Sequence, residues 1–86
     1  MEFEFDAKKS AVNKAKHGID FVEAQALWSD PDIIEIPVRE SNEIRFLVVG
    51  RISGKHWSSV ITYRSGRTRI ISVRRSRKEE VDLYEG

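Results

Sequence analysis

The chain has 86 residues, 34% of them charged and 40% hydrophobic, with a formal net charge of +1. That length predicts one domain over residues 1–86, and the balance is that of a folded, well-solvated chain rather than a disordered one. There is no cysteine, which excludes a disulfide framework and a thiolate metal site. No apolar run is long enough for a membrane span. MEFEFDAKKS carries no apolar signal core, so the expected location is the cytoplasm.

The near-neutral total conceals an asymmetry. Residues 1–43 hold five Lys/Arg against ten Asp/Glu, and residues 44–86 hold ten against four. From Ile44 to Lys78 every charged residue is basic. A run of one sign over that length points to an anionic partner such as nucleic acid, an acidic protein or lipid headgroups. The plainer alternative is that the basic half packs against the acidic half.

In chain order, Glu2–Phe5 alternates and predicts a short strand. Asp6 caps a helix over Ala7–His17, in which Ala7, Ala11 and Ala15 form a narrow packing stripe and Gly18 supplies the left-handed stop. Asp20 and Glu23 have capping-box spacing, and Phe21, Ala24 and Trp28 line one face of a second helix that Asp30-Pro31 ends. Ile33–Pro37 predicts a strand and residues 38–43 a polar loop. Strands then come over Ile44–Ile52, His56–Arg64 and Arg67–Arg75, divided by turns at Ser53-Gly54-Lys55 and Ser65-Gly66. Arg77–Glu85 predicts a final helix. The order β-α-α-β-β-β-β-α with short connections predicts an α+β domain, helices against one face of an antiparallel meander.

Period-two alternation in the last strand sets Arg69, Ile71, Val73 and Arg75 on one side and Ile70, Ser72 and Arg74 on the other. With helices on the Ile71/Val73 side, Ser72 and Arg74 face outward or into a cleft. Arg64, placed near the same end as Arg74, together with Arg45 and Arg51 then brings basic side chains from three adjacent strands into one anion-binding groove.

Two stretches carry a family resemblance. The first has Phe3, Phe5, Asp6 and Lys9, then Asn13, Lys16-His17-Gly18, Phe21, Glu23 and Ala24, with Asp30-Pro31 beyond. The second has Arg69-Ile70-Ile71-Ser72-Val73-Arg74, then Ser76, Glu80, Tyr84 and Glu85. Together they resemble the BrnT family of bacterial toxins over nearly the whole chain. Phe5 stands where that family usually has Trp, Val73 where it has Ala, and Val81 where Arg often follows the glutamate. The resemblance implies a RelE-like ribonuclease fold and a toxin that cuts RNA. It also implies a BrnA-type antitoxin partner whose other end binds DNA, so that DNA is reached only indirectly and in a toxin–antitoxin hetero-oligomer.

RNA cleavage without a metal uses the substrate's 2′-hydroxyl as nucleophile. It needs a group to take that proton, positive charge on the phosphorane-like transition state and a donor for the leaving oxygen. Arginine suits the second task because its planar fork meets two phosphate oxygens. Arg64 and Arg74 are the expected catalytic arginines, and Arg45, Arg51, Arg69 and Arg75 the expected RNA-binding ones. An imidazole titrates near 6.5 and suits proton transfer, so His17 is either the base or a helix-terminal residue complementing the dipole. Lys16 is an alternative contributor. Tyr84 is the remaining proton-transfer candidate, or else an aromatic closing the edge of the core. His56 reads as surface, Trp28 as core, and Trp57 as core or base-stacking. The two histidines lack a ligand-like spacing and no phosphate-cradling glycine motif occurs, so no metal or other cofactor is expected. Charge alone leaves two further readings open: a module that binds RNA or DNA without cutting it, and a protein whose basic face only docks an antitoxin.

Overall fold

The structure, a computed structural model, describes residues 1–40 and 43–86, with the backbone alone at Glu40. Asp6 opens α1 (Ala7–His17) by accepting the Lys8 and Lys9 amides at 2.8 and 3.1 Å, which satisfies two otherwise orphaned donors. Gly18, at φ 80°, closes it and donates its amide to the Lys14 carbonyl at 2.9 Å. The expected alanine stripe does not face the body: Ala7, Ala11 and Ala15 are exposed, and Ser10 and Asn13 are the buried residues. Polar side chains turn inward because backbone groups of β5 and of the segment after α1 await them there.

Asp20 and Glu23 form the predicted reciprocal cap. Glu23 N donates to Asp20 Oδ1 at 2.7 Å and Asp20 N to Glu23 Oε1 at 3.0 Å. The element they open is a 3-10 helix over Glu23–Ser29 rather than an α-helix. Its buried residues, Ala24 and Leu27, continue the spacing of Phe21 just before it, and all three are fully enclosed. That period of three is the one at which 3-10 side chains eclipse. Trp28 is only half-buried and meets Phe3 edge-on, with centroids 4.9 Å apart.

The sheet has five strands in the order β1-β5-β4-β3-β2, with β1 at Phe3–Glu4, β2 at Ile34–Glu40, β3 at Glu43–Ile52, β4 at Lys55–Arg64 and β5 at Arg67–Arg75. From β2 to β5 it is the expected antiparallel meander. β1, however, lies parallel to β5, Phe3 opposite Thr68 and Glu4 opposite Arg69, so the sheet is mixed. Alternation in Glu2–Phe5 reports a strand but carries no information on its direction. β2 also runs further than expected. Val38, Arg39 and Glu40 pair with Arg45, Ile44 and Glu43, so most of the predicted loop over 38–43 is strand, and residues 41 and 42 lie outside the described residues. Charged residues suit an edge strand as well as a loop. The β3–β4 and β4–β5 hairpins each turn on a Ser-Gly pair with positive φ, 51° and 80° at Ser53-Gly54 and 52° and 78° at Ser65-Gly66, the geometry of tight two-residue turns.

The strand register defines two faces. β5 carries one extra residue: Val60 is opposite Ser72 and Ile61 opposite Ile70, leaving Ile71 as a bulge. Ile70 and Val73, expected on opposite faces, are therefore both buried in one core with Ile61, Val48, Phe21, Ala24 and Ile19. On this face α1 and the 3-10 helix pack against the sheet. A Cβ on Gly50 would lie 3.1 Å from Leu27 Cδ2 and 3.3 Å from Asp30 Oδ2, so a larger residue would require those two side chains to give by a few tenths of an ångström.

α1 also seals the outer edge of β5. Beyond the two residues paired with β1, Asn13 takes the place of a neighbouring strand. Its Nδ2 donates to the carbonyls of Val73 and Ile19 at 2.9 and 2.8 Å, and its Oδ1 accepts the Val73 amide at 3.3 Å. Ser10 Oγ accepts the Phe21 amide at 2.9 Å. Replacing Asn13 with Ala orphans buried backbone groups, each worth about 1–3 kcal/mol when left unpaired. Urea unfolding of Asn13→Ala is expected to show a loss in that range, and an unchanged midpoint would show that the edge needs no such bridge.

Candidate functional site

The bulge decides where the basic residues go. On β3 the side chains of Arg45, Leu47, Val49 and Arg51 share one face. On β4 the same face holds Ser58, Val60, Thr62 and Arg64, and on β5 it holds Arg67, Arg69, Ser72 and Arg74. Six arginines thus stand on the face opposite α1 and the 3-10 helix. Arg75 is on the other face, over the Trp57 ring at 5.4 Å, with its Nε donating to the His56 carbonyl at 3.3 Å.

These arginines do not form one groove. Arg64 pairs with Arg67 at one end of the β4–β5 ladder, while Arg74 lies opposite Ser58, six residues away along β4. The two expected catalytic arginines are therefore separated by about 20 Å of strand. At the open end Arg45 and Arg64 approach Glu43 at 2.9 and 3.9 Å, Arg69 pairs with Glu4 at 2.7 Å and Arg67 with Glu2 at 3.5 Å. The Arg45 hydrogen bond holds the Glu43 carboxyl below its usual range. Arg64, Arg67, Glu2 and Glu43 are about half exposed or more. Ion pairs that exposed contribute little to stability, and a phosphate can replace them.

At the other end the contacts fasten α2 (Lys78–Glu85) to Ser58 and Arg74 on the arginine face, so the helices do not share one face of the sheet as expected. Glu80, 8% exposed, accepts Arg74 Nη1 and Nη2 at 2.8 Å each, Ser58 Oγ at 2.8 Å and the Arg77 amide at 2.8 Å. Tyr84 OH donates to Asp30 Oδ2 at 2.7 Å, and the same oxygen accepts the Arg51 amide at 2.7 Å. Burial works against the Asp30 charge, but hydrogen bonds from Tyr84 and the Asp32 and Arg51 amides outweigh it and hold its pKa down. The Asp30 hydrogen bond and burial push Tyr84 up to about 12, a poor match to proton transfer near neutrality. His56, expected at the surface, is half-buried, bonded through Nε2 to Glu85 at 2.7 Å and edge-on to the Tyr84 ring. Tyr84, Asp30, Asp32 and Arg51 line a cavity of about 500 Å³, whose two carboxylates oppose a phosphate ligand.

A second groove, about 330 Å³, lies between α1 and the edge of β5. It is lined by Lys8, Lys9, Lys16 and His17, by Val12, Asn13 and Phe21, and by Ile71 and Ser72, with no carboxylate among them. Lys9, Val12, Asn13 and Lys16 fall at i, i+3, i+4 and i+7, one face of α1. Lys14 turns away to Glu23, 2.8 Å from its carboxylate. Ser72 belongs both to this groove and to the arginine face, where it stands opposite Val60. His17 and Lys16, read from the sequence, are thus brought together, and Arg64, Arg74 and Tyr84 are each elsewhere. Lys8, Lys9 and Ser72 were not expected as site residues. The seven-residue spacing of Lys9 and Lys16, two helical turns, is the signal that identifies the lysine row. Among the described residues no group of three or more His, Cys, Asp or Glu is arranged to hold a metal ion, and no helix is long and apolar enough to cross a membrane.

The domain is a small α+β unit in which an arginine-bearing sheet face meets a lysine–histidine groove at Ser72. The chain belongs to the family described as the ribonuclease toxin, BrnT, of type II toxin–antitoxin systems, whose family model matches residues 5–80. Membership implies an RNA target and an antitoxin partner. Comparison with curated proteins gives no match.

The Glu80 carboxyl is held down at about 2, chiefly by Arg74 and against the effect of burial. A carboxyl depressed in the folded state contributes stability above its unfolded value. That contribution is full above about 4.5 and is lost as pH falls toward 2. Glu80→Gln is expected to destabilise the protein near neutrality by about 1.5–3 kcal/mol and to flatten the acid limb of stability against pH. An unchanged acid limb would locate the sensitivity in another carboxyl.

Proposed function

We propose that this protein is the toxin of a type II pair and a metal-independent endoribonuclease, with its cleavage centre in the groove between α1 and β5. The observation that carries the reading is the set of three lysines and a histidine around one groove free of carboxylates. His17 takes the proton of the 2′-hydroxyl, and O2′ attacks the adjacent phosphorus. Lys9 and Lys16 balance the charge that develops on the phosphorane, an electrostatic role that needs fixed cations rather than a metal. Lys16 gives a proton to the departing O5′, leaving a 2′,3′-cyclic phosphate and a 5′-hydroxyl, and exchange with solvent then takes the proton from His17 and restores the one on Lys16. Arg45, Arg64 and Arg69 hold flanking phosphates as the strand leaves the groove across Ser72. Arg74 and Tyr84 act at one remove, by holding α2. Cutting RNA inhibits translation, and a BrnA-like antitoxin neutralises the activity in the cytoplasm, DNA being bound only through that partner.

The test is cleavage of total RNA by purified, antitoxin-free protein in chelator. His17→Ala is expected to lower the rate by about 10²–10⁴-fold, the usual contribution of a general base, with RNA binding retained. Arg64→Ala is expected to weaken binding and reduce the salt slope by roughly one phosphate contact. Full activity in His17→Ala would remove the groove from the chemistry. Tight antitoxin binding with no cleavage by the folded wild type would favour a docking protein instead.

A further inference from the structure

Two apolar side chains in the groove have no structural explanation in the core. Val12 is 64% exposed on α1, in the middle of the lysine row. Ile71 is the bulged residue of β5, half-buried and without an opposite number on β4. Had β5 kept a regular ladder, period-two alternation would set Ile71 on the same face as Val73, in the core. The bulge instead seats Val73 and Ile70 there and leaves Ile71 lining the groove beside Val12. Bulges beside functional sites commonly re-aim a side chain in this way.

We propose that Val12 and Ile71 form the seat for one unpaired nucleobase next to the scissile phosphate, which makes the substrate single-stranded RNA selected by shape rather than by base identity. This rests on the assignment of the cleavage centre to the same groove. The occupant is indicated by the two chemistries side by side: an apolar floor and a cationic rim fit a nucleotide, flat face on the floor and phosphate at Lys9, Lys16 and His17. The volume of about 330 Å³ lies at the lower end of cavities that take one small ligand. A base in a duplex is stacked and paired and reaches such a floor only after being flipped out, so unpaired nucleotides are preferred. Base identity goes largely unread because the one amide at the floor is committed. Asn13 spends Nδ2 on two carbonyls and Oδ1 on the Val73 amide. That leaves Ser72 as the hydroxyl able to meet a base edge.

The experiment is a binding cycle on a short oligonucleotide made uncleavable by a 2′-deoxy nucleotide at the scissile position. The wild type and the double variant Val12→Ala/Ile71→Ala, checked for an unchanged fold, are each tested with the base present and with an abasic nucleotide. Removing the floor or removing the base is expected to weaken binding by roughly tenfold each. The two losses should overlap in the combination instead of multiplying, because they delete one contact. Placing the nucleotide in a hairpin stem is expected to weaken binding by a further tenfold or so. Multiplying losses, an abasic oligonucleotide bound as tightly as the intact one, or a stem bound as tightly as a single strand would each overturn the base seat. Cleavage of the matching all-ribose oligonucleotide reads the centre separately. A full cycle without cleavage would retain the seat and reject the nuclease, and cleavage without the cycle would do the reverse.

Discussion

One residue too many in β5 sets the character of both faces of this sheet. In a regular ladder a shift of one position exchanges the faces of every later side chain. Here the extra residue at Ile71 makes that exchange once, in mid-strand. Downstream of it Val73 enters the core, and upstream Ile70 and Thr68 do so as well. Arg67 and Arg69 consequently fall on the same face as Arg74. Without the bulge one end of the strand would have to bury arginines under α1 and the 3-10 helix, at several kcal/mol for each unpaired charge.

Among the residues that carry the family resemblance, two sets do different physical work. Lys9, Asn13, Lys16, His17 and Ser72 line or floor the groove at the β5 edge. Asp30, Arg74, Glu80 and Tyr84 are joints that fix α2 through charged and polar contacts. Leu83 of α2 is 60% exposed, and the buried residue of the helix is Glu80, a member of that hydrogen-bond network. A network of that kind is direction-specific: it fixes where α2 lies, while the hydrophobic effect alone would let it slide.

Local punctuation was legible in the sequence. Asp6, Gly18, the Asp20/Glu23 pair and the two Ser-Gly turns each act within four residues of chain, and each does in the structure what its chemistry predicts. Features set by distant partners were not legible. The direction of β1 depends on β5, more than sixty residues away. The 3-10 winding is visible only once Leu27, rather than Trp28, is known to face Gly50. Convergence of Arg64 with Arg74 was inferred from alternation without a register, and the register puts them at opposite ends of the ladder. Lys16 and His17 line the same groove because their relation is local to one helix turn.

The Asn13 bridge has a consequence for how the molecule meets others of its kind. An exposed strand edge is a template on which further strands assemble. Along β5 that template is filled first by β1 and then by a single amide side chain reaching from α1. The side of the sheet that borders the cationic groove is thereby closed to lateral growth without a sixth strand over the groove. The opposite margin is β2, where Pro37 sits mid-strand and supplies no amide. In this small, charge-segregated protein the edge beside the cationic groove is thus shut to another β-strand while the groove itself stays uncovered.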